Sequence, residues 1–204
     1  MNQATIDPAT MVLHELRAPL GLMATAARSA ADECQTEDLR QRCQMIVRAA
    51  EGMLRTANQL FQLNRAASAE TIEPFRPFDV AMQLVDTLRG FDVRVALLGD
   101  AAAMGAQTLG VPERFEALLH SLLTNAMDHS DLGVPVTVEL RTFEGALRIE
   151  IRNRPALVAR HKGLGLGLAI ADALAERAGT KVIRERCGEE YRVRFAIGLV
   201  PSAG

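Results

Sequence analysis

The chain has 204 residues, 49% of them hydrophobic, which is enough for two small domains of ordinary size. With 23 Lys and Arg against 25 Asp and Glu, no Trp, one Tyr and seven Phe, it has neither the basic field nor the aromatic platforms of a nucleic-acid binder, and no nucleic-acid partner is expected. No charge-free apolar stretch approaches the ~20 residues that cross a bilayer, and the first five residues lack the basic flank and apolar segment of a signal peptide, so the expectation is a soluble, cytoplasmic chain with no direct membrane insertion.

From about Pro8 to Glu33, Val12, Leu13, Leu16, Leu20, Met23, Ala24 and Ala27 recur at helical spacing and predict a first helix with one buried stripe. Thr36 is a candidate N-cap, and Glu37 and Asp38 suit the positive end of a second helix. In that helix Leu39, Cys43, Ile46, Ala50, Met53, Ala57, Leu60 and Asn64 alternate steps of four and three, the spacing of a packed helical seam. Two antiparallel helices have too little core to stand alone, so pairing with a second copy into a four-helix bundle, a homodimer through the hairpin, is expected. Cys34, Cys43 and Cys187 form no C-x-x-C pair and lie at no metal-ligand spacing to histidine, so they read as reduced packing residues.

The heptad ends near Ala66, and a stretch with Pro74 and Pro77 reads as a linker, which divides the chain into residues 1–68, a linker over 69–77 and a second domain over 78–204. The second domain reads as a helix near Val80–Arg89, strands near Val93–Leu97 and Gln107–Val111, and a helix from Pro112 to about His129. A hairpin of Val136–Arg141 and Leu147–Arg152 turns at Glu144-Gly145. A helix opened by Gly163, Gly165 and Gly167 and running to about Ala178 follows, and strands near Lys181–Arg186 and Tyr191–Leu199 close the chain.

His14 lies in His14-Glu15-Leu16-Arg17-Ala18-Pro19-Leu20, nearly opposite the apolar stripe, so its imidazole is expected to be exposed. A carboxylate beside it, Glu15, can hold one tautomer and leave the other ring nitrogen free to attack phosphorus. Pro19 lacks an N–H and so frees the Glu15 carbonyl, predicting a bend one turn past the histidine. Farther along, Ser121 and Asn125 stand one turn apart on one helix face, and an amide oxygen at Asn125 can ligate Mg²⁺ together with phosphate oxygens and water. The amides of Gly163, Gly165, Leu166 and Gly167 can approach phosphates at a helix N-terminus; the spacing is not that of a dinucleotide fingerprint.

The heptapeptide resembles the H-box of sensor histidine kinases, and about residues 6–66 resemble that family's dimerisation and phosphotransfer domain. Leu118–Ser130 and Gly163–Ile170 resemble the N-box and second glycine box of the Bergerat-type ATPase domain shared by histidine kinases, gyrases and Hsp90-like proteins. The resemblance implies an α+β fold, a helical hairpin forming a dimeric four-helix bundle followed by an α/β sandwich. It also implies ATP and Mg²⁺ at Asn125, Asn153, Gly163, Gly165, Leu166 and Gly167, phosphorylation of His14 with Glu15 assisting, and transfer to an aspartate of a response regulator receiver domain docked beside Gly21–Thr25.

Four departures stand out. Ala18 occupies a position where many members carry Thr or Asn for regulator dephosphorylation, which predicts weak phosphatase activity. Asn153-Arg154-Pro155 replaces the usual Asp-x-Gly, Ser121 replaces Asn, His or Glu, and the gap from Asn153 to Gly163 leaves almost no ATP lid. The adopted reading is an ATP-dependent histidine kinase core. The alternative is a histidine phosphotransferase of the ChpT type, relaying phosphate between receiver domains without ATP. A non-catalytic dimeric scaffold would require His14 to be incidental.

Overall fold

The computed structural model describes residues 8–34, 36–89, 94–131, 133–156 and 166–200, and the chain divides into a unit ending at Asn64 and a unit beginning at Arg65. The first unit is the expected hairpin, α1 (Pro8–Glu33) and α2 (Glu37–Ser68). The helix α1 runs through Pro19 without interruption. Arg28 of α1 bonds Glu51 of α2 at 2.6 Å, and the contact between Cys34 and Cys43 is nested inside it, so the two helices run antiparallel.

The heptad divides into two rows of different size. The small row, Cys43, Ala50 and Ala57, is buried, as are Leu20, Ala24, Ala27 and Ala31 of α1. The large row, Leu39, Ile46, Met53 and Leu60, is exposed at 41–51% in the single chain. Leu16 and Met23, expected within the buried stripe of α1, are exposed as well, because the small residues meet first and hold the larger ones outside the hairpin.

In the second unit β1 (Glu73–Phe75) precedes α3 (Pro77–Arg89), β2 (Val95–Gly99), α4 (Ala101–Gly105), β3 (Thr108–Gly110) and α5 (Pro112–Asp128). The hairpin β4 (Val136–Phe143) and β5 (Ala146–Asn153), the helix α6 (Leu166–Arg177) and the strands β6 (Ile183–Cys187) and β7 (Glu190–Gly198) complete it. Five strands form one sheet in the order β2-β4-β5-β7-β6, with β2 parallel to β4 and the other pairs antiparallel. Its inner face is the alternate row Val136, Val138, Leu140, Leu147, Ile149, Ile151, Val193 and Phe195, all buried, and α5 packs against β4 and β5 and, alongside, against α6. Glu144 and Gly145 both take positive φ, 49° and 75°, the geometry of a tight two-residue hairpin turn.

Three of the residues read as linker are a strand instead. β1 pairs with β3, and the Phe75 ring lies 5.7 Å from Phe115 of α5, which in turn lies 6.1 Å from Phe195 of β7. An aromatic residue two positions before a helix, able to join this chain of rings, draws the segment onto the core. The expected strand at 107–111 is thus the partner of β1 in a separate two-stranded ribbon, tied to the main sheet by Thr108 Oγ1 donating to the Gly198 carbonyl at 2.6 Å. The Ala-rich patch at 101–103 forms α4, capped by Asp100 accepting from the Ala103 N–H.

Candidate functional site

His14 and Glu15 lie on α1 midway between its start and Gly21; their side chains fall outside the described residues. One turn further on, Ala18 and Pro19 are exposed. Beyond them Leu22 is 71% exposed, Met23 and Thr25 are exposed too, and a Cβ built at Gly21 would meet nothing within 4 Å. This open strip is the place the resemblance assigns to a docked receiver domain.

The second cluster is organised by α5, which starts at Pro112 because proline's missing N–H costs nothing in a first turn. Ser121 is 1% exposed and Asn125 is half-buried on the same face. Among the described residues neither the Ser121 hydroxyl nor the Asn125 side-chain N–H₂ has a hydrogen-bond partner. Buried polar atoms are ordinarily paired, since leaving one unpaired costs about 1–3 kcal/mol, so these two are suited to a polar ligand. His120, one residue earlier, is also half-buried with an unpaired Nδ1, and burial pushes its pKa down, a shift that Glu116 only partly opposes.

Asn153 ends the buried row of β5 and is 4% exposed. Directly after it the chain is clasped to the residues directly after α5. The Asp131 N–H donates to the Arg154 carbonyl at 2.9 Å, the Ala156 N–H donates to the His129 carbonyl at 2.9 Å, and Ser130 and Pro155 form an isolated bridge. This clasp holds the end of α5 that carries Asn125 and the end of β5 that carries Asn153 at one end of the helix and sheet layers. It was not foreseen from the sequence; Ser130, whose hydroxyl donates back to the Ala126 carbonyl, carries no local signal of it.

Gly163 and Gly165 lie outside the described residues. Leu166 and Gly167 open α6, as expected of a glycine-led helix start beside α5. Among the described residues no cluster of His, Cys, Asp or Glu could hold a metal by itself. Two clefts lie elsewhere, one of about 250 Å³ on the open face of the sheet and one of about 360 Å³ behind α6. The first is lined by Glu139, Arg141, Arg148, Glu150, Arg152 and Arg192, which form an ion-pair lattice: Glu139 meets Arg141 at 2.5 Å and Arg152 at 3.1 Å. These alternating Arg and Glu residues coat the strand face that, among the described residues of this unit, has no helix over it.

No model of a known protein family matches the sequence. The sensor histidine kinase AruS of Pseudomonas aeruginosa is 27% identical over 218 aligned positions, which cover 91% of this chain. The chain spans 22% of the length of that relative. Among solved structures, full-length ShkA in complex with AMPPNP superposes with a TM-score of 0.56 at 18% identity, over 96% of this chain and 46% of ShkA. The histidine kinase AdeS of Acinetobacter baumannii gives 0.56 at 16% identity over 91% of this chain and 98% of AdeS. A histidine kinase from Burkholderia phymatum gives 0.54 at 17% over 92% and 98%.

The fold is that of a histidine kinase core. In that fold the helical hairpin and the helix-covered mixed sheet are the two parts that the H-box and N-box resemblances call for, in the same order along the chain. Among the described residues no helix is long and apolar enough to cross a membrane.

Proposed function

We propose that the chain is the catalytic core of a two-component histidine kinase, acting on the cytoplasmic side, that phosphorylates His14 from ATP and passes the phosphoryl group to an aspartate of a response regulator. The observation that carries the reading is the pair of unspent polar groups, Ser121 Oγ and Asn125 Nδ2, on a face of α5 whose end is clasped to Asn153 in a histidine kinase fold. Residues 1–68 are the dimerisation and phosphotransfer part, and the ATP-binding part follows, with β1 and the start of α3, inside the stretch 69–77, belonging to it.

In this reading Asn153 takes a hydrogen bond from the adenine amino group, and the amides of Gly163, Gly165, Leu166 and Gly167 face the phosphates. The side-chain amide oxygen of Asn125 would hold Mg²⁺, which would supply neutralisation of phosphate charge. A ring nitrogen of His14 attacks the γ-phosphorus in line, the bond to the bridging oxygen breaks, ADP leaves, and Glu15 receives the ring proton. A neutral amide at Asn153 holds adenine less firmly than a carboxylate, so nucleotide binds weakly. The exposed rows Leu39, Ile46, Met53, Leu60 and Leu16, Met23 supply the apolar faces on which a second hairpin closes a four-helix bundle. The strip from Leu22 to Thr25 receives the regulator.

The test is incubation with γ-labelled ATP and Mg²⁺ beside His14→Ala and Asn125→Ala. Acid-labile, alkali-stable label that is lost in both variants is the expected result. No label from ATP, with ready labelling of His14 from a phosphorylated receiver domain, would overturn ATP use and make the chain a phosphotransferase.

A further inference from the structure

Cys34 and Cys43 face each other across the turn of the hairpin. The Arg28–Glu51 bridge fixes the antiparallel register, and six residues inward on α1 and eight inward on α2 from it stand Cys34 and Cys43. That register brings the two thiols close enough for each to act on the other, with Cys43 buried at 9% and Cys34 half-buried. Cys34 follows the last residue of α1 and belongs to no helix, while Cys43 is locked within α2. A disulfide needs its sulfurs about 2.05 Å apart and its Cα atoms within about 7 Å, so one partner must have backbone freedom to close the remaining gap. Cys34 is the partner outside both helices, its carbonyl accepting from the Arg40 guanidinium at 3.0 Å.

We propose that Cys34 and Cys43 are a redox modification site, a dithiol that a hydroperoxide converts to an intrachain disulfide tying the end of α1 to α2. The Cys34 thiolate attacks a peroxide oxygen, the O–O bond breaks, and a sulfenic acid and hydroxide result. The Cys43 sulfur then attacks the Cys34 sulfur, the S–O bond breaks, and a second hydroxide leaves with the Cys43 proton as water. Two thiols are oxidised and one hydrogen peroxide is reduced to two waters. The proposal is independent of the phosphotransfer reading, because the site lies twenty residues from His14, about 30 Å along α1.

Burial raises the Cys34 pKa, the neighbouring Cys43 thiol and Glu33 raise it further, and Arg40 opposes them. The thiolate is therefore scarce at neutral pH, and oxidation accelerates as pH rises, about tenfold per unit while the thiol remains mostly protonated.

The experiment treats the whole chain with hydrogen peroxide at pH 7 and pH 9, blocks free thiols with iodoacetamide, and maps peptides without reduction. The expected result is a chain free of interchain disulfides with one alkylated cysteine, Cys187, and a linked Cys34–Cys43 peptide that forms faster at pH 9. The link persists in Cys187→Ser and is lost in Cys34→Ser and in Cys43→Ser. Thermal melting of reduced Cys34→Ser, altered outside any helix, matches that of the parent and shows that loss of the link is not loss of the fold. Three alkylated cysteines after oxidation, or a disulfide made through Cys187 or between chains, would overturn the proposal.

Discussion

The two units bury opposite kinds of residue. In the hairpin the buried set is mainly alanine and cysteine, and Ile46, Met53 and Leu60 face outward. In the second unit Leu118, Leu119, Leu123, Leu140, Leu147, Ile149, Ile151 and Leu174 are enclosed almost completely by their own chain. One unit is a finished core, and the other leaves its larger apolar side chains exposed. Because burial of apolar area drives folding, the second unit is stabilised by its own core, whereas the hairpin leaves its large row exposed and would gain stability from a partner, as proposed above, that covered it.

The strongest way to break this contrast is to empty the finished core. Leu140→Ala should cost about 2–5 kcal/mol, read as a lowered urea midpoint for the second unit, and that loss should not depend on protein concentration. A cost that grows on dilution would mean that this core also depends on a partner. The complementary change, Ile46→Glu with Met53→Glu, should weaken self-association at least about tenfold in sedimentation while leaving the unfolding of the second unit unchanged. A monomeric parent chain at high micromolar concentration would remove the basis for the hairpin half of the comparison.

Two smaller effects probe polar groups inside the finished unit. Asn125→Ala should abolish weak nucleotide binding yet shift stability by less than about 1 kcal/mol, because its amide N–H₂ has no partner to lose. A large loss of stability would make Asn125 a structural residue. His120 should make stability sensitive to acid. Its pKa is depressed by burial, so above about pH 6.5 the ring is neutral in both folded and unfolded chains. As pH falls below that, the unfolded chain takes up the proton first and stability drops until the folded ring also titrates. His120→Gln should flatten that acid limb in denaturation measured from pH 7.5 to 5, and an unchanged limb would assign it to other groups.

The elements with strong periodicity were legible in the sequence. The span Pro8–Glu33 is a helix, and the hairpin turns at Glu144 and Gly145, where a positive φ suits glycine and an exposed turn tolerates it at glutamate. The short ribbon of β1 and β3 was read as linker plus strand, because three residues carry too little pattern and their pairing depends on Phe75 finding Phe115, forty positions away. Cys187, read as a packing residue, is exposed at the end of the edge strand β6, since a lone cysteine does not reveal which side of a strand it occupies.

The candidate site shows the same division. His14, Glu15, Ser121 and Asn125 could be singled out because helical spacing sets which residues share a face, a property of a few consecutive positions. Asn153 joined them on family resemblance, and nothing local indicated that the residues following it would be clasped to those following α5. By itself the sequence determined two helices, a patterned sheet and the chemical types of the site residues, because these follow from local periodicity. Only the tertiary structure decided which heptad row faces inward, where β1 pairs, and which strand end meets which helix end. Those outcomes depend on side-chain volumes and hydrogen bonds between positions far apart in the chain, which local spacing does not encode.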